Sequence, residues 1–543
     1  MIDKAMAARL PTIWADRAAM FLLAAVALAA ALTFRDYGLG WDDYTHSQYG
    51  DLLLKLYGSG FADARALSFV NLYKYGGGFD MLAALIAKVA PFTLYETRRL
   101  VGAAVGIVGL LITWRLARRL GGPVGGLVAL VLLATCPIYY GHMFINAKDA
   151  PFAVAMVLLL YGAVRALDEY PNPNARTMVL VGLGLGATFG ARILAVVAGP
   201  YVAAGIALIV AVEISRIGAG KALTRCGQFV IALLPALPLG YLIMGLLWPW
   251  SILSPLNPLH AAEYFDTFFE KPWRELYEGV RIAVPDMPAS YLPHLFALKL
   301  PEAMLILGAI GLIGAFVAAA RPRVPLNRRA CLLTIALAAI FPVVLAMIMR
   351  PALYNGLRHF VFVIPPFAVL GGVAASWIID WLRERSRIAV GVAAAVFAGA
   401  IALPVTELVR LHPYEYSSFN WASGGVRAAQ GRYMLDYWGL AFKQAAQGLR
   451  AHLKQTHEKP PAGRRWVVAI CGPQPPADVE LGPQFETTWE EKRADFAMSL
   501  GTFYCEDIAR PVIVDIQREG VMYARVYDLR GRPTPNLLTE PPP

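Results

Sequence analysis

The chain has 543 residues, of which 57% are hydrophobic and only 16% charged, and its mean hydropathy is +0.51. Soluble proteins carry about 25% charged residues, so the composition excludes an ordinary soluble protein and predicts a mainly α, polytopic membrane protein. The formal net charge is +11. The basic residues do not cluster on a polar domain, which excludes a nucleic-acid partner.

The first apolar run, residues 18–34, lies between Arg17 and Arg35 and is about long enough to cross the hydrocarbon core. A cleaved signal peptide is the alternative, and in either case the following loop is exported. With this run the pattern predicts about eleven transmembrane helices. They are expected at 18–34, 100–116, 123–138, 150–167, 178–191, 193–213, 227–248, 302–320, 330–349, 359–381 and 388–406.

Short basic loops recur on one side of these spans, and the positive-inside rule makes that side cytoplasmic. The N-terminus is then cytoplasmic and the C-terminus exported, so most candidate site residues fall on the exported face. The basic loops hold Arg115, Arg118 and Arg119; Arg165 and Arg176; Arg216, Lys221 and Arg225; Arg321, Arg323, Arg328 and Arg329; and Arg383, Arg385 and Arg387.

The first exported loop contains a polar and aromatic cluster, residues 41–46, which includes Asp42, Asp43 and His46. Adjacent side chains point in different directions on a strand or a helix, so one carboxylate can face a substrate while the other turns into the scaffold. Such a pair is also a poor metal clamp, since Mg²⁺ and Ca²⁺ need several convergent oxygens. We therefore expect a catalytic base rather than a metal site, with a solvated loop as the alternative.

Further along this loop, the apolar pieces at 52–54 and 79–91 are too short to span and are predicted to be interfacial helices. The glycine run at 76–78 is expected to join them flexibly.

Asp149 and Lys148 lie in the second exported loop. Asp149 precedes Ala150-Pro151, so it has two interpretations: a helix cap, or a group that places the acceptor or supports Asp42. Lys148 offers a cation to an anionic ligand.

Three further candidates, Arg192, Arg358 and His359, lie at the ends of apolar runs. Buried cations are costly unless paired, and Arg can bind phosphate oxygens through two parallel hydrogen bonds. Snorkelling to the interface is the alternative for the arginines.

A long loop from Trp248 carries many aromatic residues, which either anchor the protein at the interface or stack on a sugar or prenyl chain. They are Trp250, Tyr264, Phe265, Phe268, Phe269, Trp273, Tyr277 and Tyr291, with Lys299 just before the next span.

The polar tail, residues 411–543, is predicted to form a small exported α/β domain following the membrane domain of residues 1–410. Strand-like composition occurs at 466–471 and in two runs around Glu519-Gly520. Cys471 and Cys505 are expected to pair in an oxidising space. The end, from about Arg532, is expected to be disordered.

Several short motifs together resemble the bacterial GT-C glycosyltransferases of the protein-mannosyltransferase and aminoarabinose-transferase type, glycosyltransferase family 39. They are Gly40-Trp41-Asp42-Asp43, Tyr75-Gly76-Gly77-Gly78-Phe79-Asp80, Tyr95-Glu96-Thr97-Arg98-Arg99, Asn146-Ala147-Lys148-Asp149-Ala150-Pro151-Phe152, Gly356-Leu357-Arg358-His359 and, beyond the last span, His412-Pro413-Tyr414-Glu415-Tyr416 and Leu435-Asp436-Tyr437-Trp438-Gly439.

This resemblance implies an enzyme of the bacterial inner membrane that transfers a sugar from a polyprenyl-phosphate donor to a lipid, glycan or protein hydroxyl. Transfer is expected on the periplasmic side, with inversion. The resemblance implies that Asp42 is the base; many members have Glu where Asp43 stands, so the role of Asp43 is open.

Family enzymes bind the carrier phosphate through loop cations, which correspond here to Lys148, Arg192, Arg358 and His359. We also expect His46, Tyr75, Tyr264 and Lys299 to contact substrate. No cofactor is predicted to be required, and a divalent metal is left open.

Two other function classes, a transporter and a sensor or scaffold, account for part of the pattern. A transporter or flippase of a lipid-linked substrate also needs intramembrane cations, but internal repeats or broken helices are typical of it. A sensor or scaffold acting through its tail leaves the Asp42 loop without a role.

Overall fold

The computed structural model describes residues 2–266, 274–531 and 536–539, which are mainly helical. Within these ranges nine helices are long and apolar enough to cross a membrane. This confirms the mainly α, multi-pass membrane class.

The expected spans all correspond to helices in the described part of the chain. Helix α4, Leu94–Ala134, is broken at Gly122, where φ is 69° and ψ is −174°, so it holds two of the expected spans. The span expected at 178–191 is the shorter apolar helix Ala175–Phe189. Nine long helices, the second half of α4 and this short helix make eleven.

The helices of the membrane domain follow in chain order. They are α1 (Ile2–Thr33), α2 (Asp43–Gly58), α3 (Gly78–Ala87), α4 (Leu94–Ala134), α5 (Pro137–Ile145), α6 (Asp149–Asp168), α7 (Ala175–Phe189), α8 (Ala198–Ile217), α9 (Ala219–Leu233), α10 (Ala236–Leu247), α11 (Asn257–Asp266), α12 (Tyr291–Lys299), α13 (Glu302–Ala320), α14 (Leu326–Met349), α15 (Ile364–Arg383) and α16 (Arg387–Leu411).

Helices α4 and α15 pack closely at the centre of the bundle, where glycines let their backbones approach. A Cβ on Gly372 would lie 2.2 Å from the carbonyl oxygen of Gly125. In lipid, where apolar side chains gain little by leaving the solvent, such small-residue contacts supply the packing.

At the end of the bundle away from Asp42, basic residues form ion pairs and hydrogen bonds between helices. Arg118 pairs with Asp16 at 2.7 Å and Arg119 with Asp168 at 2.6 Å. Arg328 donates to the carbonyl of Leu120. The short basic loops from different spans therefore meet at one end, as the alternation of spans predicts.

The first loop forms two short helices, α2 and α3, as expected, but its glycine run is not a flexible joint. A Cβ on Gly76 would lie 1.5 Å from the carbonyl oxygen of Gly190, and Gly77 donates its N–H to the carbonyl of Leu247 at 3.0 Å. These glycines are required by close packing against α7 and α10.

A two-stranded antiparallel hairpin, β1 (Arg274–Tyr277) and β2 (Val280–Ala283), lies between α11 and α12. The tail adds α17 (Gly425–Ala429), α18 (Phe442–Gln455), α19 (Gln474–Leu481), β3 (Trp466–Cys471), β4 (Phe485–Thr488), β5 (Phe496–Leu500), β6 (Val512–Arg518) and β7 (Val521–Asp528).

The five strands of the tail form one mixed sheet in the order β4-β3-β5-β7-β6. Strand β3 is parallel to β4 and β5, whereas β7 is antiparallel to β5 and β6. All six residues of β3 and all five of β5 are buried, so these two inner strands form the core of a small α/β unit. The strands expected at 466–471 and around Glu519-Gly520 are confirmed.

Cys471 and Cys505 form a disulfide, with Cα atoms 5.8 Å apart, which confirms their pairing. Part of the end expected to be disordered is ordered: Leu537 is buried, and Thr539 donates its N–H to the carbonyl of Tyr504. The rest of that end, and Phe268, Phe269 and Trp273, lie outside the described residues.

Candidate functional site

Asp42 lies in the turn between α1 and α2, facing two cations from distant parts of the chain. Its Oδ2 is 3.4 Å from Nζ of Lys148 and 3.8 Å from Nη1 of Arg358. That oxygen accepts no hydrogen bond from the described residues. Burial raises the pKa of Asp42, but the charges of Lys148 and Arg358 outweigh it and hold the pKa well below its ordinary value. The carboxylate is therefore ionised, and it is not fully engaged by the protein.

Asp43 points the opposite way, into the protein. Arg99 donates to both of its oxygens, at 2.8 and 2.6 Å, and the Gly40 N–H donates to it at 2.8 Å. Its side chain is only 2% exposed. Arg99 binds both oxygens, and this contact shapes the loop that carries Asp42. The catalytic assignment of Asp43 stays a prediction.

His46 belongs to the same buried group of charges and does not line the cavity described below, and its contact with substrate stays a prediction. Its Nδ1 is 2.6 Å from Oδ2 of Asp80, whose other oxygen accepts from Arg98 at 2.6 Å. All three side chains are almost completely buried. We call Asp43, His46, Asp80, Arg98 and Arg99 the scaffold cluster.

Asp149 is placed by its own helix end. The Oδ1 of Asn146 accepts from the backbone N–H groups of Lys148 and Asp149, and so caps α6 in place of Asp149. The Asp149 carboxylate accepts from Arg192 and from the Asn146 amide. It is therefore the charge partner of Arg192, and neither a helix cap nor a second catalytic group beside Asp42.

A cavity of about 390 Å³ opens beside these groups. All four predicted phosphate-binding residues line it, together with Tyr75: Lys148, Arg192, Arg358 and His359. The rest of the lining is largely apolar and includes Ile193, Leu194, Val196, Leu353 and Phe360. A polar end and an apolar wall suit an amphiphilic ligand with an anionic head.

Arg358 is oriented by stacking as well as by charge. Its guanidinium lies over the ring of Tyr354 at 4.5 Å and over the ring of Trp438 at 5.0 Å. Its Nε donates to Nε2 of His359 at 3.2 Å. The outer nitrogens, one of them 3.8 Å from Asp42, are left to face the cavity.

Positive charge exceeds negative charge around the cavity. Lys148, Arg192 and Arg358 are cations, while Asp42 and Asp149 are the carboxylates that contact them. We call these five residues the cavity cluster. Its single surplus positive charge matches a singly charged phosphodiester, and the arginines offer the geometry that phosphate oxygens need.

The remaining sequence-based candidates have different environments. Tyr75 lies under both Lys148 and Arg192, with its ring 5.0 and 5.6 Å from their charged centres, and it lines the cavity. Tyr264 packs against Lys74 at 4.0 Å, and its neighbour Phe265, rather than Tyr264, lines the cavity.

Lys299 is not among the residues that line the cavity, and its role in substrate binding stays a prediction. Its Nζ donates to the carbonyl of Ser418 at 2.8 Å and lies 3.8 Å from the centre of the Phe419 ring. Burial lowers the pKa of Lys299 to about 7. It ties α12 to the segment that follows the last span.

Glu275, on the β1–β2 hairpin, was not identifiable from the sequence pattern. Its carboxylate supports the turn before Arg358. Glu275 accepts the Asn355 N–H at 3.1 Å and the Tyr291 hydroxyl at 3.3 Å, and Tyr291 accepts the Gly356 N–H at 3.0 Å. Asn355 and Gly356 both have positive φ, 57° and 68°, so external hydrogen bonds are needed to hold this turn.

No group of three or more His, Cys, Asp or Glu side chains is placed to hold a metal within 2–266, 274–531 and 536–539. The expectation that no cofactor is required stays a prediction, and a role for a divalent metal stays open.

A family model described as "Dolichyl-phosphate-mannose-protein mannosyltransferase" matches residues 78–241. Over these residues the match supports the resemblance to the protein-mannosyltransferase type. The matched region includes Lys148, Asp149 and Arg192 but neither Asp42 nor Arg358. No curated protein matches the chain significantly.

Two solved structures are among those similar to this chain. ArnT from Cupriavidus metallidurans bound to undecaprenyl phosphate has 16% identity and a TM-score of 0.49, covering 94% of this chain and 98% of its own. The Archaeoglobus fulgidus oligosaccharyltransferase tethered with an acceptor peptide has 14% identity and a TM-score of 0.47, covering 83% and 61%. At this level of similarity they assign no residue and no ligand here.

Proposed function

We propose that this protein transfers a sugar from a polyprenyl-phosphate donor to an acceptor hydroxyl, with Asp42 as the general base. The observation that carries the proposal is that the ionised carboxylate of Asp42 faces Lys148 and Arg358, two cations that line the cavity. A base and a cationic site for a leaving phosphate are adjacent there, beside an apolar wall.

The donor phosphate would bind between Lys148 and Arg358, with Arg192 beside it. An arginine can donate two parallel hydrogen bonds to phosphate oxygens, while Lys148 supplies a compact charge. The apolar lining at 193–196 and 353–360 continues from these cations, so it can take the first isoprene units of the lipid tail.

In the transfer step the acceptor oxygen attacks the anomeric carbon as Asp42 removes the hydroxyl proton. The bond between that carbon and the phosphate oxygen breaks, and its electron pair leaves with the polyprenyl phosphate. The cations stabilise the charge that develops on the leaving group. Attack opposite the leaving group inverts the anomeric centre.

Lys148 and Arg358 would be shared between the base and the donor. Both cations face Asp42 and hold its pKa low, which makes it a weak base. A bound phosphate offsets their charge, so the pKa of Asp42 rises and the carboxylate becomes a better proton acceptor. This arrangement favours binding of the donor before the acceptor.

The cavity is proposed to face the periplasm of a bacterial inner membrane, with the 411–543 domain on the same side. Asp42 and that domain lie together, at the end of the bundle away from the basic loops. Reporter fusions after Arg323 and after Arg450 are expected to report opposite compartments, cytoplasmic and periplasmic. Equal compartments would contradict this orientation.

The direct test of function is release of polyprenyl phosphate from a lipid-linked sugar by purified protein in detergent. Release that depends on an added acceptor and is lost in Asp42→Asn supports the transferase. Movement of the intact lipid-linked sugar across vesicles, without release, would contradict it and favour a transporter.

A further inference from the structure

Trp438 belongs to the segment that follows the last span, yet its side chain is only 2% exposed and is packed against the membrane domain. Its indole Nε1 is buried and has no hydrogen-bond partner among the described residues. A tryptophan that only fills a core usually finds such a partner. Its position is therefore set by the groups that it touches.

The first of these groups is the loop that carries Asp42. A Cβ on Gly40 would lie 1.6 Å from Cδ1 of Trp438, so the indole lies directly on the Gly40 backbone. The Trp41 N–H donates to the Trp438 carbonyl at 3.1 Å. The two residues that precede Asp42 are therefore both held by Trp438.

The second group is the guanidinium of Arg358, which lies 5.0 Å from the centre of the Trp438 ring. Tyr354 is the other aromatic ring within stacking distance, at 4.5 Å. Stacking on a ring restricts the plane of a guanidinium and so fixes the direction of its N–H groups.

The segment around Trp438 is itself anchored. The carboxylate of Asp436 accepts from the backbone N–H groups of Gly439, Leu440 and Ala441, at 3.0, 3.0 and 2.9 Å. It also accepts from the Tyr416 hydroxyl. Trp438 thus lies in a turn with little freedom to move.

We propose that Trp438 is a positioning residue that holds the loop carrying Asp42 and the guanidinium of Arg358 in a fixed position relative to each other. In this way the tail completes the active site. The role of the site itself rests on the proposed function. Because one ring contacts both Gly40 and Arg358, displacement of the ring changes the geometry of proton removal and of phosphate binding together.

The first experiment measures binding of a short-chain polyprenyl phosphate alone, which requires no transfer. Trp438→Leu removes the aromatic face and is expected to weaken binding roughly three- to thirtyfold, whereas Trp438→Phe keeps a ring and recovers most of the affinity. In an Arg358→Ala background, Trp438→Leu is expected to cost little more. Equal losses in both backgrounds would overturn the role through Arg358.

Trp466 offers a matched control, since it is a buried tryptophan of the same tail, 5% exposed, with Arg530 over its ring at 5.7 Å. Trp466→Leu is expected to lower the unfolding temperature without changing the Kd of the folded protein. If Trp466→Leu weakens binding as much as Trp438→Leu does, the effect is general destabilisation and the proposal is wrong.

The second experiment tests the contact with the base loop. Gly40→Ala places a methyl group where the indole lies, so kcat is expected to fall while the Kd for polyprenyl phosphate changes less. In a Trp438→Ala background, which removes the side-chain atoms that a Cβ on Gly40 would meet, Gly40→Ala should have little further effect on kcat. If Gly40→Ala lowers kcat by the same factor in both backgrounds, Gly40 and Trp438 act independently.

These outcomes separate the two proposals. If the wild-type protein binds no polyprenyl phosphate, the proposed donor class fails. If it binds the lipid and Trp438→Leu binds it equally well, the donor class stands and the inference about Trp438 fails.

Discussion

The scaffold cluster and the cavity cluster are neighbours in the sequence, because Asp43 directly follows Asp42. They differ in how their carboxylates are bound. In the scaffold cluster Arg99 holds both oxygens of Asp43, and Asp80 is shared by Arg98 and His46. In the cavity cluster one oxygen of Asp42 has cations at 3.4 and 3.8 Å but, among the described residues, no hydrogen bond.

This difference separates a structural role from a functional one. Buried charges are expensive to desolvate, and close bidentate pairing recovers part of that cost. Both carboxylates of the scaffold cluster are bound by arginines. Its cations are less completely paired, since Nε2 of His46, Nε and Nη1 of Arg98 and Nε of Arg99 are buried without a hydrogen-bond partner among the described residues. The cations of the cavity cluster differ in that they line a cavity, where they can bind an anionic ligand.

The largest expected effect comes from Asp42→Asn, which keeps the size of the side chain but cannot accept a proton. Transfer should fall by about 10²- to 10⁴-fold, with the unfolding temperature nearly unchanged. Polyprenyl-phosphate binding should be retained or strengthened, because Lys148 and Arg358 no longer face a competing carboxylate. Single-turnover transfer at saturating donor measures this.

Asp43→Asn is the matched control, and it should lower the unfolding temperature more than Asp42→Asn does, because Arg99 then loses a charged partner. If Asp42→Asn transfers at a near wild-type rate, Asp42 is not the base. If the two variants lose stability equally, the distinction between the clusters is wrong.

Arg99→Met tests the scaffold cluster. It leaves the Asp43 carboxylate buried without its partner, which should cost about 3 to 5 kcal/mol of stability. Thermal unfolding in detergent measures the loss. Adding Asp43→Asn removes the orphaned charge and should restore part of the stability, and a larger loss in the double variant would contradict a paired role.

Arg358→Lys tests the cavity cluster. The charge remains, but the planar fork and its stacking on Tyr354 and Trp438 are lost, which should weaken polyprenyl-phosphate binding by about 1.5 to 3 kcal/mol. Arg350→Lys is the control, because Arg350 is an exposed arginine that does not line the cavity. Unchanged binding in Arg358→Lys would transfer the phosphate-binding role to Arg192 or Lys148.

The smallest predicted effect concerns the support of Arg358 by Glu275. Burial raises the pKa of Glu275 from about 4.5 to about 7. Between these values the folded protein holds a proton that the unfolded chain has released, so this group's contribution to stability falls as the pH rises through that window. Over pH 5 to 7 the decrease should be roughly 1 to 2 kcal/mol.

Glu275→Gln cannot titrate and should remove this part of the pH dependence. Thermal unfolding of both proteins at several pH values checks the prediction. Parallel pH profiles would show that Glu275 does not titrate in this range.

Much of the site could be predicted because its chemistry is unusual for its position. Lys148, Arg192, Arg358 and His359 interrupt apolar runs, and the structure places all four on one cavity. Asp42 and Asp43 could not be told apart with certainty, since which carboxylate turns inward depends on where Arg99 lies. His46 and Lys299 looked equally available, but their partners, Asp80 and the Ser418 carbonyl, come from distant segments.

The sequence by itself determined the membrane class, the spans, three of the five strands of the tail (β3, β6 and β7) and the residue types of the site. These follow from local hydropathy, periodicity and the cost of placing charge near lipid, which neighbouring residues reveal. Only the tertiary structure decided which carboxylate is bound by Arg99 and which faces the cations of the cavity. It also decided that Glu275 supports the turn before Arg358 and that Trp438 contacts the Asp42 loop. Those outcomes depend on contacts between residues up to hundreds of positions apart, such as Gly40 and Trp438, and no local pattern encodes such contacts.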